Sequence, residues 1–248
     1  MSVWRLEVLR LFRTLRWVGV LASFLVFGIA MPILTRYQDA LFRNLGGDVR
    51  VIFPPPTAAQ AVAAYLQNAM QIGLLVSVLI AAGSLAFDGR PEWAAFLRTR
   101  MRSPWDLVGP KFAVNAGAAA ASFGLGLVAA WIGAGALIGS LPPEGLVAGV
   151  VFGALYLAFA VAVVACTAGL ARTVIGTGGL ALVVLIALPI LGQIPALEPW
   201  LPSTLVGAPT ALADGAAATD YTRAAIVTCA ATPALLAGAV WLLARRES

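Results

Sequence analysis

The chain has 248 residues, of which 61% are apolar and 11% charged, with 16 basic against 11 acidic side chains and a net charge of +5. That charged share is about half that of an ordinary soluble domain, and several apolar runs exceed the roughly 18 residues that read as a transmembrane helix. An all-α polytopic membrane protein follows, the basic excess is a matter of membrane sidedness and not of nucleic-acid binding, and the absence of histidine removes imidazole bases, histidine metal ligands and serine–histidine hydrolysis.

Residues 1–17 interleave Trp4, Leu6, Val8, Leu9, Leu11, Phe12 and Leu15 with Arg5, Arg10, Arg13 and Arg16. This mixture predicts an interfacial helix lying on the inner headgroups and leading into the first span. A cleaved signal peptide is the competing reading. Its charged region would be too long, and no Ala-x-Ala site precedes Pro32.

The first span is expected at about 18–34, followed by a polar segment over 35–68 that Gly46-Gly47 and Pro54-Pro55-Pro56 interrupt. The second span is expected at about 69–87. Between it and the third, at about 112–139, lies the longest polar interruption on the basic side of the chain, Asp88 to Lys111. Pro91 is tolerated in a first helical turn, and Glu92 suits the positive end of the helix dipole. Trp93, Phe96, Leu97 and Met101 recur at helical spacing, with Arg98, Arg100 and Arg102 around them. Ser103 with Asp106 reads as a capping box between one helix and the next. These residues suit a short amphipathic helix pinned at both ends. The same residues also suit a basic juxtamembrane loop held against anionic headgroups.

Leu141-Pro142-Pro143-Glu144 predicts a tight hairpin into a fourth span at about 146–170, and Arg172 a short turn before the fifth at 173–191. A second polar segment, 192–222, contains Trp200, and the sixth span runs over 224–244. Gly145, Gly149 and Gly153 form a four-residue ladder entering span four, and Gly135 with Gly139 repeats the spacing in span three. Such ladders let backbones approach closely in lipid, within one chain or between two. Cys166 and Cys229 fall in separate apolar runs, which suits small packing residues and implies no disulfide or metal framework.

With six spans both termini share one side. That side holds Arg5, Arg10, Arg13, Arg16, Arg90, Arg98, Arg100, Arg102, Lys111, Arg172, Arg245 and Arg246, and the other holds only Arg36, Arg43, Arg50 and Arg223. The positive-inside rule puts both termini and the 88–111 loop in the cytoplasm, in a multi-pass cell (inner or plasma) membrane protein. The acidic residues all fall in loops, at span edges or in terminal segments, which disfavours ion-coupled transport. Lys111 is the single lysine, and Gly109-Pro110-Lys111-Phe112 is no phosphate loop, so the chain is not expected to hydrolyse ATP.

An interfacial N-terminal helix, six spans with both ends inside, and a helix between spans two and three together resemble a permease subunit of the ABC-2 exporter type. Members tend to carry an acidic–basic pair at the end of span two, then Gly-Thr, a hydrophobic pair, Pro-x-Ser and a lysine opening span three. Here Asp88, Phe96, Leu97, Ser103 and Lys111 match in order, with Arg90 one residue later than the usual basic position. Glu92-Trp93 stands where Gly-Thr is common, and Met101 where proline is common. Trp200-Leu201-Pro202-Ser203 also resembles the family's outer loop, which often has a proline near a short re-entrant helix.

The resemblance implies one permease domain over 1–248 that binds no cofactor itself. Two ABC ATPase subunits would hold ATP and Mg, and a second permease subunit, identical or related, would complete a path for a hydrophobic or amphipathic, drug- or lipid-like substrate. The ATPase contact would comprise Asp88, Arg90, Glu92, Trp93, Phe96, Leu97, Arg98, Arg100, Met101, Arg102 and Ser103, a helix seated in a groove. A reading from another class is a non-transporting scaffold or assembly factor whose basic loop recruits a cytoplasmic protein.

Overall fold

A computed structural model describes residues 3–45, 55–86, 105–171 and 173–245. Its helices are α1 (Val3–Arg13), α2 (Arg16–Leu45), α3 (Ala58–Asn68), α4 (Leu74–Leu85), α5 (Trp105–Leu137), α6 (Pro143–Leu170), α7 (Val174–Leu191), α8 (Thr204–Ala213) and α9 (Thr222–Arg245). Among the described residues there is no strand. Six stretches are long and apolar enough to cross a membrane: Arg16–Ala40, Ala58–Leu85, Trp105–Leu137, Gly145–Leu170, Val174–Leu191 and Ala218–Arg245. The all-α polytopic fold expected from composition is the fold found.

The second span starts earlier than the sequence reading placed it, at Ala58 and not near 69. Thr57 and Gln60 form a reciprocal capping box, in which the Gln60 N–H donates to Thr57 Oγ1 over 3.2 Å and the Thr57 N–H to Gln60 Oε1 over 3.1 Å. Ala58, Ala61, Val62, Tyr65 and Leu66 are then buried at helical spacing. Gln60 and Gln67 face outward and gave the segment its polar look. A π-helical turn, Ala69–Gly73, joins α3 to α4 without a break in direction of the chain. The first helix likewise continues past 34 to Leu45, across Pro32. The third begins at Trp105, several residues before the expected 112.

The helix α6 is the centre of the bundle. Phe159, Ala160, Val161, Ala162, Val163, Val164 and Ala165 are all buried. A run of seven such residues leaves no helical face open, as expected of a helix that is apolar all round. The helices α4, α5, α7, α8 and α9 pack around it.

Close packing between the first three spans depends on three rings and the glycines that admit them. Phe24, Tyr65 and Phe123 are fully buried. The Phe24 and Phe123 rings meet edge to face at 5.9 Å, and Tyr65 stacks on Phe123 at 6.1 Å. The Tyr65 hydroxyl donates to the Phe123 carbonyl over 3.0 Å. A Cβ at Gly73 would sit 2.6 Å from the Phe24 ring, and one at Gly126 would sit 2.6 Å from the Tyr65 hydroxyl. At Gly28 a Cβ would run into the Gly126 carbonyl. Gly28 and Gly126 bring α2 and α5 to backbone contact distance, and Gly73 and Gly126 admit the Phe24 ring and the Tyr65 hydroxyl.

The 192–222 segment is only partly loop. Immediately after Ser203 the chain forms α8, with Leu205, Ala208 and Leu212 buried against α6 and α3. Beside it, the Arg223 guanidinium lies 5.5 Å from the centre of the Trp200 ring.

Candidate functional site

The sequence offers few polar side chains to the bundle interior, so those that are buried stand out. Three of them, Ser84, Lys111 and Asn115, gather at one end, where α1, the last turn of α4 and the first turns of α5 meet. Lys111, at the seventh residue beyond the segment 87–104, is only 5% exposed. Its Nζ donates to the Ser84 carbonyl oxygen over 2.6 Å. Glu7 of α1 brings Oε1 to 3.6 Å from the same nitrogen, and Arg10 Nη1 stands 3.8 Å from that oxygen.

Asn115, one turn after Lys111, completes the cluster. Its Nδ2 donates to Ser84 Oγ over 2.8 Å and to the Lys111 carbonyl over 2.7 Å. Ser84 Oγ donates onward to the Ala81 carbonyl over 3.0 Å. Ser84, Lys111 and Asn115 therefore each have a partner, as burial requires. The Coulomb attraction at 3.6 Å is roughly 4 kcal/mol at an effective dielectric of about 20, much of it offset by the cost of taking both ions out of water. The net effect is positional. Three segments far apart in sequence are fixed at one point.

Burial of Lys111 departs from the sequence reading, which counted it as a loop cation. The four-carbon stem packs in the bundle while the ammonium finds a backbone carbonyl and a carboxylate. The sequence reading also passed over Glu7, Ser84 and Asn115. A signal was present for two of them. Glu7 is the single acid among residues 1–38, and Asn115 follows the single lysine at i+4 within an apolar run.

Asp88, Arg90, Glu92, Trp93, Phe96, Leu97, Arg98, Arg100, Met101, Arg102 and Ser103 lie outside the described residues. What the structure describes is the pair of helix ends that flank them. Ser84 and Lys111 are bonded to each other, so the chain leaves and re-enters the bundle at adjacent points.

The small-residue ladders divide. A Cβ at Gly145 would meet the Leu212 carbonyl at 3.0 Å, one at Gly149 the Pro209 ring at 3.0 Å, and one at Gly153 would overlap the Phe123 ring. Gly145 and Gly149 thus seat α8, and Gly153 admits Phe123 of α5. Gly135 and Gly139 have nothing within 4 Å of a Cβ, so their spacing serves no contact among the described residues. Cys166 and Cys229 are both free thiols. Among the described residues no group of acidic, cysteine or histidine side chains could hold a metal ion. Comparison with known protein families, with curated proteins and with solved structures finds no match for this chain.

Proposed function

We propose that this chain is the membrane-spanning permease subunit of an ATP-driven exporter resembling the ABC-2 type. In that reading both termini are cytoplasmic, two ATPase subunits dock below, and a second permease subunit completes a path for a hydrophobic or amphipathic substrate. The carrying observation is the Lys111–Ser84 bond, which ties the ends of spans two and three together on either side of residues 87–104. A segment clamped in this way passes a push from a docked partner to both spans at once, as rigid-body tilting and not as local flexing. Glu7 brings α1 to the same point, so an N-terminal contact with the partner would move with the first.

The test is co-purification in detergent with an ATPase encoded beside this chain, followed by the ATPase rate of the complex in lipid. A stable complex whose turnover falls on changing Phe96 or Trp93 is the expected result. A chain that purifies alone and alters no ATPase's rate would overturn the reading and favour the scaffold. Phe96→Asp should abolish coupled export while leaving the bundle folded, and unchanged export by that variant would refute the coupling role.

A further inference from the structure

We propose that α1 is a sensor of membrane charge: its outward face takes the headgroups of anionic phospholipid, and its inward Glu7 locks the occupied helix onto Lys111. The inference needs the six spans to lie in a bilayer and does not need the transport reading.

The charges of α1 are sorted by face. Residues 1–17 carry four arginines and one acid. That acid, Glu7, is turned inward to Lys111 and Arg10, so no carboxylate of α1 itself is left on the outward face. Arg13 is exposed there beside Leu6 and Leu9 at helical spacing, which are 45% and 38% exposed. Arginine beside exposed apolar side chains is the pattern of a helix half sunk at the headgroup level, with charge and apolar area acting together. A neutral bilayer would satisfy the apolar side chains but not Arg13. An acidic one satisfies both.

Backbone geometry adds a second observation. Leu15, between α1 and α2, has φ +54°, the single positive φ at a non-glycine among the described residues. A left-handed leucine is disfavoured, and a straight helix through Leu15 would avoid it. The corner instead sets α1 beside the first turns of α5. Something seats α1 strongly enough to hold that corner. Glu7 on one face and the lipid surface on the other are the two contacts its residues fit. Because the lock at Lys111 also holds Ser84, seating α1 bears directly on the ends of spans two and three.

The experiment is hydrogen–deuterium exchange of the full chain in nanodiscs of phosphatidylcholine with and without phosphatidylglycerol. Each basic residue near an anionic surface raises partition roughly fivefold. The amides of α1 should therefore exchange at least about fivefold more slowly with phosphatidylglycerol, while those of α6 stay unchanged. Arg13→Gln should shrink the lipid-dependent difference, and high salt should do the same. Glu7→Gln should speed α1 exchange in both lipids because the inner lock is gone. Equal α1 exchange in the two lipids, or a difference that Arg13→Gln leaves intact, would overturn the proposal. Protection of α1 that appears only with an added cytoplasmic protein would also overturn it, in favour of a protein-docking face.

Discussion

Glu7 and Lys111, separated by more than a hundred residues and lying on different helices, place carboxylate and ammonium 3.6 Å apart with side chains only 12% and 7% exposed. Removing one partner of such a pair strands the other. Glu7→Gln should therefore cost about 3 kcal/mol, the lower end expected for a broken buried pair. Lys111→Met, which keeps the stem and drops the charge, strands Glu7 in turn with Arg10 at 3.8 Å as its remaining partner, and should also cost about 3 kcal/mol. The double variant should recover most of the Glu7→Gln loss. Thermal unfolding in detergent of the four members of this cycle measures the coupling, and strictly additive losses would refute it.

The two glycine ladders make a paired prediction. Gly153 faces the Phe123 ring with no room for a Cβ, and Gly135 faces open space. Gly153→Leu forces the ring out of its stack with Tyr65 and should cost at least about 2 kcal/mol by overpacking. Gly135→Leu should change stability by less than about 0.5 kcal/mol. Melting temperatures of the purified variants decide. Equal losses at the two positions would mean that Gly135 is packed after all, by a second subunit if the loss depends on protein concentration.

Much of this fold was legible before any coordinate. Apolar run lengths locate six spans because in lipid the backbone must satisfy itself by helix formation, so hydropathy nearly dictates secondary structure. The misplacements have local causes. Ala58–Asn68 looked like loop because Gln60 and Gln67 face outward while its small alanines carry little hydropathy; the Thr57–Gln60 box was the signal to follow. Lys111 looked like a surface charge because burial of a lysine depends on a carbonyl in another helix and an acid in a third. Neither partner is visible in local sequence. Gly135 and Gly145 share one spacing rule, yet only Gly145 meets a backbone, because the rule specifies a face and not what covers it.

Thr57→Ala tests the start of the second span directly. It removes the side-chain acceptor for the Gln60 N–H and frees the reciprocal Gln60 contact, a change worth about 1 kcal/mol at an N-cap. The loss should appear as faster amide exchange at Ala59, Gln60 and Ala61, with the amides of α4 unaffected across the π-helical turn. Slowed or unchanged exchange at those three amides would show that packing against α5 and α8, and not the cap, sets where this helix begins.

Leu15 allows the backbone cost of the α1–α2 corner to be separated from the work of its side chain. The residue is 66% exposed at φ +54°, so replacing it removes little internal packing but alters both lipid contact and conformational freedom. Leu15→Ala and Leu15→Gly delete nearly the same apolar surface. Only glycine relieves the left-handed conformation, for which an L residue pays roughly 1 kcal/mol. Leu15→Gly should therefore hold α1 against α5 better than Leu15→Ala by about that amount, read as roughly fivefold slower exchange of the α1 amides in the same lipid. If alanine and glycine behave alike, the corner is not under strain in the membrane, and the seating of α1 then rests on Glu7 and the lipid surface with no opposing cost at Leu15.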